Sequence, residues 1–255
     1  MLAELQFKGA PVIVTGAGSG IGQSSCEVLA ELGATLILVG RTAAKLKETE
    51  ALVAKYGVAC ESHEVDVAVE DQVLALHRAV AARHGHIKGL VNNAGTNFVK
   101  KLGDLETADW NRIIAIDLTS IYYMCKAFIP MLLKAPGGGS IVNVASTFGV
   151  IGSPEMPVYC AAKGGVISLT RQLAVDYGKQ GLRVNSLCPG PTLSPRVRGY
   201  LEQRLVDPEA TRRLTLLDRL AECREVANAA AFLVSDAASY VHGTAMVVDG
   251  GQTVH

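Results

Sequence analysis

The sequence predicts an α/β fold: a doubly wound parallel sheet of seven strands with helices on both faces. Two observations predict it. Short apolar, β-branched runs alternate with longer helix-period segments along the chain, and the runs lack the in–out alternation of half-exposed strands. A glycine-rich turn follows directly on the first run and opens into a helix.

The elements follow in order. Residues 12–15 and 35–39 read as the first two strands, with a helix over 21–32 between them. Further strands are expected at 62–65, 89–91, 141–144, 183–187 and 246–248. Between them, 70–83, 107–133, 159–177 and 221–234 are long enough for helices. Repeated β-α-β units favour right-handed crossovers within one sheet. No Pro/Ser linker splits the 255 residues, so one domain over 1–255 is expected. The Gly-rich 136–139 joins a helix to a strand. The least regular long segment is 189–220, and long connections in a compact domain often cover a site, so a lid is expected around 190–220.

Composition excludes several function classes. The 24 basic and 24 acidic side chains cancel, which gives no electrostatic reason to expect nucleic acid or an anionic membrane as partner. Hydrophobic residues make up 49% of the chain, ample for a core without disulfide or metal staples. The six cysteines are scattered without a CxxC pair and read as small buried hydrophobes in a reducing compartment. Residues 1–11 show no basic and apolar leader pattern, and the apolar stretches fall short of the ~20 residues that span a bilayer. The expected location is the cytoplasm. His63, His77, His84 and His86 lack converging Cys or carboxylate partners, so no metal is expected.

The chemistry concentrates in a few motifs. Residues 15–22 read TGAGSGIG. Gly16, Gly20 and Gly22 let the backbone turn tightly and approach a pyrophosphate, while the N–H groups of Ser19, Gly20 and Ile21 open the helix toward that anion. At the exit of the second strand, where a carboxylate would meet a ribose 2′-hydroxyl, stand Gly40 and Arg41. Gly40 removes a charge that would repel a 2′-phosphate and Arg41 can pair with one, which favours NADP over NAD; Arg41 also fits a plain surface cation. Tyr159 and Lys163 lie four apart on a helix and share a face. A free phenol titrates near a pKa of about 10. A neighbouring ammonium stabilises phenolate, so the pair can move a proton at an alcohol or alkoxide. Ser146 follows the 141–144 strand, at the sheet edge where a crevice forms.

The GxxxGxG spacing of the glycine turn, Asn92-Asn93-Ala94-Gly95, Ser146, Tyr159 and Lys163 together resemble the short-chain dehydrogenase/reductase family, over about residues 7 to 251. The resemblance implies a Rossmann-type sheet with strand order 3-2-1-4-5-6-7 and a nicotinamide cofactor that carries the hydride. It implies Tyr159 as general acid/base, Ser146 on the substrate oxygen, and Lys163 on the tyrosine and the nicotinamide ribose. Asp66 and the backbone at Val67 would meet the adenine. Asn93 and Gly95 would border the cofactor, and the Pro189-Gly190 turn would pass the carboxamide. Thr192, through its backbone, is the favoured contact there, with Ser194 a second candidate. One position departs from the family: Asp117 stands where an asparagine usually anchors a water in a proton relay, and a carboxylate accepts from water but cannot donate as an amide does. An ionised Asp117 near Lys163 would also raise the ammonium's pKa. Family members commonly form tetramers, so a homotetramer is expected.

The substrate lining reads from residues 148–156 and Phe98, mostly apolar, which suits a neutral carbonyl or secondary alcohol with hydrophobic bulk. Arg196, Arg198, Arg204, Arg212, Arg213 and Arg219 would clamp an acidic substrate or, with four acids interspersed, belong to a solvated lid; the second reading is favoured. The expected function is therefore hydride transfer between NADP(H), or NAD(H), and a carbonyl/alcohol carbon. The alternative is a dinucleotide-binding regulator or scaffold with little turnover. An epimerase or dehydratase would be expected to carry a larger C-terminal substrate region than the few residues after 248.

Overall fold

Five strands run through the core along nearly their whole length and two edge strands do not, and this difference organises the molecule. The computed structural model describes residues 2–254. A helical turn, α1 (Leu2–Leu5), leads to β1 (Pro11–Thr15), α2 (Gly20–Glu31), β2 (Thr35–Gly40), α3 (Ala43–Val53) and β3 (Cys60–Glu64). Then come α4 (Glu70–Ala81), β4 (Gly89–Asn92), α5 (Thr107–Ile114), a π-helical turn (Ala115–Thr119) and α6 (Ser120–Leu132). The chain closes with β5 (Ser140–Val144), α7 (Pro157–Tyr177), β6 (Arg183–Pro189), α8 (Pro195–Glu202), α9 (Pro208–Arg212), α10 (Cys223–Val234) and β7 (Ala245–Val248).

All neighbouring strands pair in parallel, in the order β3-β2-β1-β4-β5-β6-β7. The expected seven strands and their order are both present. Successive strand residues point to opposite faces, so the continuous apolar runs fill two separate cores. On one face Ile13, Ile37, Leu90 and Ile141 pack with Val73 and Leu76 of α4, Met124 and Phe128 of α6, and Val166 of α7. On the other, Val12, Leu36, Val91 and Val142 pack with Cys26 and Leu29 of α2 and with Val226 and Ala230 of α10.

Several expectations need correction. The edge strand β3 reads CESHE and exposes Ser62 and Glu64, so it is not an apolar run; an edge has one neighbour and one open side. Helix α3 has no counterpart in the sequence reading because its apolar stripe is thin: among its residues only Leu46, Thr49 and Val53 are buried. The helix expected over 107–133 is interrupted by the π turn, with Asp117 buried inside it. The continuous stretch Thr107–Leu132 has 26 residues and contains an 18-residue window with a mean hydropathy of 1.3, long and apolar enough to cross a membrane by length and composition. Its apolar face is nevertheless spent on the core through Ile121, Met124, Phe128 and Leu132. All six cysteines are free; Cys26, Cys125 and Cys188 are buried, but Cys60, Cys160 and Cys223 are only half-buried.

The carboxyl ends of the strands converge on one edge. Between β1 and β4 the chain order reverses, and helices leave the sheet on opposite faces, which opens a crevice there.

Candidate active site

The crevice begins with the backbone. Thr15 ends β1, and its Oγ1 accepts from the backbone N–H groups of Asn93 at 2.9 Å and Ala94 at 3.0 Å. In return the Asn93 Nδ2 donates to the Thr15 carbonyl at 2.9 Å. These bonds tie the loop after β1 to the loop after β4. Asn92 turns the other way: its amide donates to Asn143 Oδ1 at 2.8 Å, and Asn143 donates to Thr170 Oγ1 at 3.0 Å, a buried chain linking β4, β5 and α7.

Within the glycine turn, Gly16 and Gly20 take φ of +65° and +56°, which L side chains rarely adopt. Gly22 has a different reason to be glycine. A Cβ there would stand 2.2 Å from the Gly16 carbonyl oxygen. Ser19 precedes α2 with extended backbone and makes no side-chain cap, so the helix start is left to an outside acceptor.

A cleft of about 570 Å³ runs along this turn. Gly16, Ser19, Gly20, Ile21, Arg41, Asp66, Val67, Asn93 and Gly95 all lie on its wall, as expected from the sequence. Asp66 accepts from the Ala68 N–H at 3.0 Å, which fixes its carboxylate at the end of β3. Gly22 lies behind the wall and shapes it. Pro189, Gly190 and Thr192 are not on the wall either. A Cβ on Gly190 would meet the Asp249 Cα at 2.7 Å, and buried Thr192 donates its hydroxyl to the Gly190 carbonyl at 3.0 Å. Of the two hydroxyls considered, it is Ser194 that lines the cleft. Lys45 and Ile116 also line it without having stood out in the sequence, and so does Arg196, expected only as a substrate clamp or part of the lid. Lys45 sits on the unread helix α3, close over the glycine turn: a Cβ on Gly18 would be 2.8 Å from its Cβ. Its signal was a second cation four residues beyond Arg41.

The crevice has adequate form for a dinucleotide. It offers a glycine turn whose close approach no Cβ permits, an uncapped helix start, a carboxylate at its far end and two cations beside β2. The residues present fit that group.

Around the end of β5 stand the polar residues of the chemistry. Ser146 is buried and its Oγ accepts from the Phe148 N–H at 3.1 Å, which leaves the hydroxyl proton to donate elsewhere. Tyr159 enters at the start of α7, half-buried, with the Lys163 Nζ 5.6 Å from its ring centroid. Lys163 itself is buried; its ammonium donates to the Val144 carbonyl at 3.0 Å and lies 3.2 Å from Asp117 Oδ1. Burial pulls that ammonium's pKa down, but Asp117 and Tyr159 outweigh it and the net direction is up. Asp117 is wholly buried, and the Thr96 N–H donates to its Oδ1 at 3.2 Å and its Oδ2 at 3.1 Å. Gly95 makes room for it: a Cβ there would be 2.7 Å from Asp117 Oδ1.

Five of the six arginines in the 196–219 segment separate into two kinds. Arg198, Arg212, Arg213 and Arg219 pair with Glu222, Asp218, Glu209 and Glu225 on the surface. Arg196 instead reaches back over the cleft, with donors 3.4 Å from the Gly95 carbonyl and 3.4 Å from Asn97 Oδ1.

Fold and crevice are those of a dinucleotide-binding protein, and the relatives make it an oxidoreductase that uses a nicotinamide dinucleotide. The family model described as enoyl-(acyl carrier protein) reductase matches residues 16–253. The chain is 41% identical to a cis-4-hydroxycyclohexanecarboxylate dehydrogenase of Sinomonas cyclohexanicum, covering 94% of this chain and 95% of that one. It is 34% identical to 2-(S)-hydroxypropyl-CoM dehydrogenase 3 of Xanthobacter autotrophicus, covering 97% and 98%. A solved structure of a putative 2-deoxy-d-gluconate 3-dehydrogenase from Agrobacterium tumefaciens, with bound NADP, superposes with a TM-score of 0.89 at 31% identity, covering 99% of each chain. The chain belongs to the short-chain dehydrogenase/reductase family.

Proposed function

We propose that this protein interconverts a ketone and a secondary alcohol with NADP(H), and that Tyr159 carries the proton. The observation that carries this reading is the set of Ser146, Tyr159 and Lys163 at the carboxyl end of β5, with the buried Lys163 ammonium 5.6 Å from the Tyr159 ring. When bound, the nicotinamide supplies or accepts the hydride. Ser146 holds the substrate oxygen by donating its free hydroxyl proton. Tyr159 gives its phenolic proton to that oxygen in reduction and takes it back in oxidation. Lys163, fixed by the Val144 carbonyl, keeps a positive charge beside the phenol. Asp117 takes the relay position behind Lys163, and Ser194 takes the carboxamide side of the cleft in place of Thr192.

NADP is favoured over NAD because Arg41 and Lys45 both stand on the cleft wall beside Gly40, where a carboxylate would repel a 2′-phosphate. The structural relative that holds NADP supports the same reading. The substrate is a small alicyclic or branched ketone or alcohol. The apolar 148–156 segment and Phe98 support this, as do relatives named for cis-4-hydroxycyclohexanecarboxylate, cyclopentanol and levodione. Residues 190–220 act as the lid, with Arg196 as its latch over Gly95 and Asn97. The chain works as one domain, in the cytoplasm, as a homotetramer; the half-exposed apolar groove between α6 and α7 supports self-association.

Tyr159→Phe tests the reading. With NADPH and cyclic ketones, kcat is expected to fall at least about 100-fold, the usual scale for removing a general acid/base. NADPH affinity should stay within about twofold. Unchanged turnover would remove Tyr159 from the chemistry.

A further inference from the structure

In this chain the Lys163 charge does not act on Tyr159 alone, because a buried carboxylate faces it from the other side. Every contact that Asp117 receives comes from a donor. Oδ1 faces the Lys163 ammonium and the Thr96 N–H, each at 3.2 Å, and Oδ2 accepts from the same Thr96 N–H at 3.1 Å. That pattern fits an ionised carboxylate, which is acceptor-only.

The site therefore holds a fixed +/− pair where a lone ammonium would otherwise stand. At the Tyr159 oxygen, the attraction of Lys163 for phenolate is offset in part by repulsion from Asp117. The other groups facing this cluster change little. Cys188 on β6 has its thiol pushed up by burial and stays neutral, Arg171 lies toward that thiol, and Arg196 meets the Gly95 carbonyl on the lid side.

We infer that Asp117 is a counter-charge that offsets the Lys163 ammonium at Tyr159, so that phenolate forms at higher pH here than it would beside a lone ammonium. The inference rests on Tyr159 as the proton carrier. In reduction the phenolic O–H bond breaks and an O–H bond forms on the substrate oxygen, while the carbon would take the hydride that a bound reduced nicotinamide would supply. Tyr159 then regains a proton from solvent. In oxidation the phenolate must exist first, and each pH unit below its midpoint costs about tenfold in rate. Asp117 touches neither substrate nor cofactor in this account; it is a positioning residue that works through Lys163.

Asp117→Asn isolates the charge. Both Oδ1 contacts can persist on an amide oxygen, so the variant keeps its acceptor for Lys163 and Thr96. The experiment is an ultraviolet difference titration of phenolate in wild type and in Asp117→Asn, each with its Tyr159→Phe counterpart subtracted to isolate one of seven tyrosines. The Tyr159 midpoint is expected to fall by about one pH unit or more in the variant. The alkaline rise of alcohol oxidation should move down by the same amount. Asp117→Ser repeats the test with a small uncharged side chain, should the amide disturb folding. An equal or higher midpoint in the folded variants overturns the inference. A lowered midpoint without turnover in the wild type would leave the charge pairing standing and overturn the proposed activity instead.

Discussion

The glycine cradle and the lid close the same cleft, yet they are held in opposite ways. In the cradle, residues 15–22 and 92–95 are fixed by part-buried side-chain-to-backbone bonds and by close contacts that leave no space for a Cβ. In the lid, α8 and α9 bury none of their residues, and the arginines are tied mainly by exposed ion pairs. Exposed pairs contribute little to stability, while a buried contact that cannot relax costs much when altered. On the proposed function, the contrast would divide the labour: the rigid half would bind the dinucleotide in one pose, and the loose half would open for substrate.

Three predictions sharpen or break this comparison. The largest effect is expected for Gly22→Ala, whose Cβ would stand 2.2 Å from the Gly16 carbonyl. Overpacking of this kind costs about 1–3 kcal/mol. Thermal unfolding should show a drop of several degrees, roughly 2–4 °C per kcal/mol, and calorimetry should show NADPH affinity reduced at least about tenfold. A neutral outcome would mean that the cradle is not rigid. Next comes Arg41→Ala with Lys45→Ala. Each should weaken NADPH by about tenfold, the scale of about 1.4 kcal/mol for a partly exposed phosphate contact, and leave NADH nearly unchanged. Equal losses for both cofactors would show that these cations do not read a 2′-phosphate. The smallest effect belongs to the lid: Arg213→Ala breaks its pair with Glu209, both exposed, and should shift unfolding by no more than about 0.5 kcal/mol. A large loss would place the lid among the rigid parts.

The same contrast explains what the sequence disclosed. The cradle was legible because its constraints act on the backbone and select residue types at fixed spacing, as with Gly16, Gly20, Gly22 and the paired Asn92 and Asn93. The five buried strands were legible because both faces need apolar side chains. Edge strand β3 was legible only from its last residues, since Glu61 and His63 serve surface contacts and not the core. Helix α3 was missed for want of a broad apolar stripe, and Lys45 was missed with it. The choice between Thr192 and Ser194 depended on which way a turn points its hydroxyls, a matter of φ and ψ that residue type does not fix. Asp117 was visible as an odd residue, but its pairing with Lys163 across the π turn required the three-dimensional arrangement.

The most direct test of the central claim is calorimetric titration of the purified protein with NADPH and, separately, with NADH. The account predicts tight NADPH binding and NADH binding weaker by tenfold or more. Preference for NADH, or no binding of either, would contradict it.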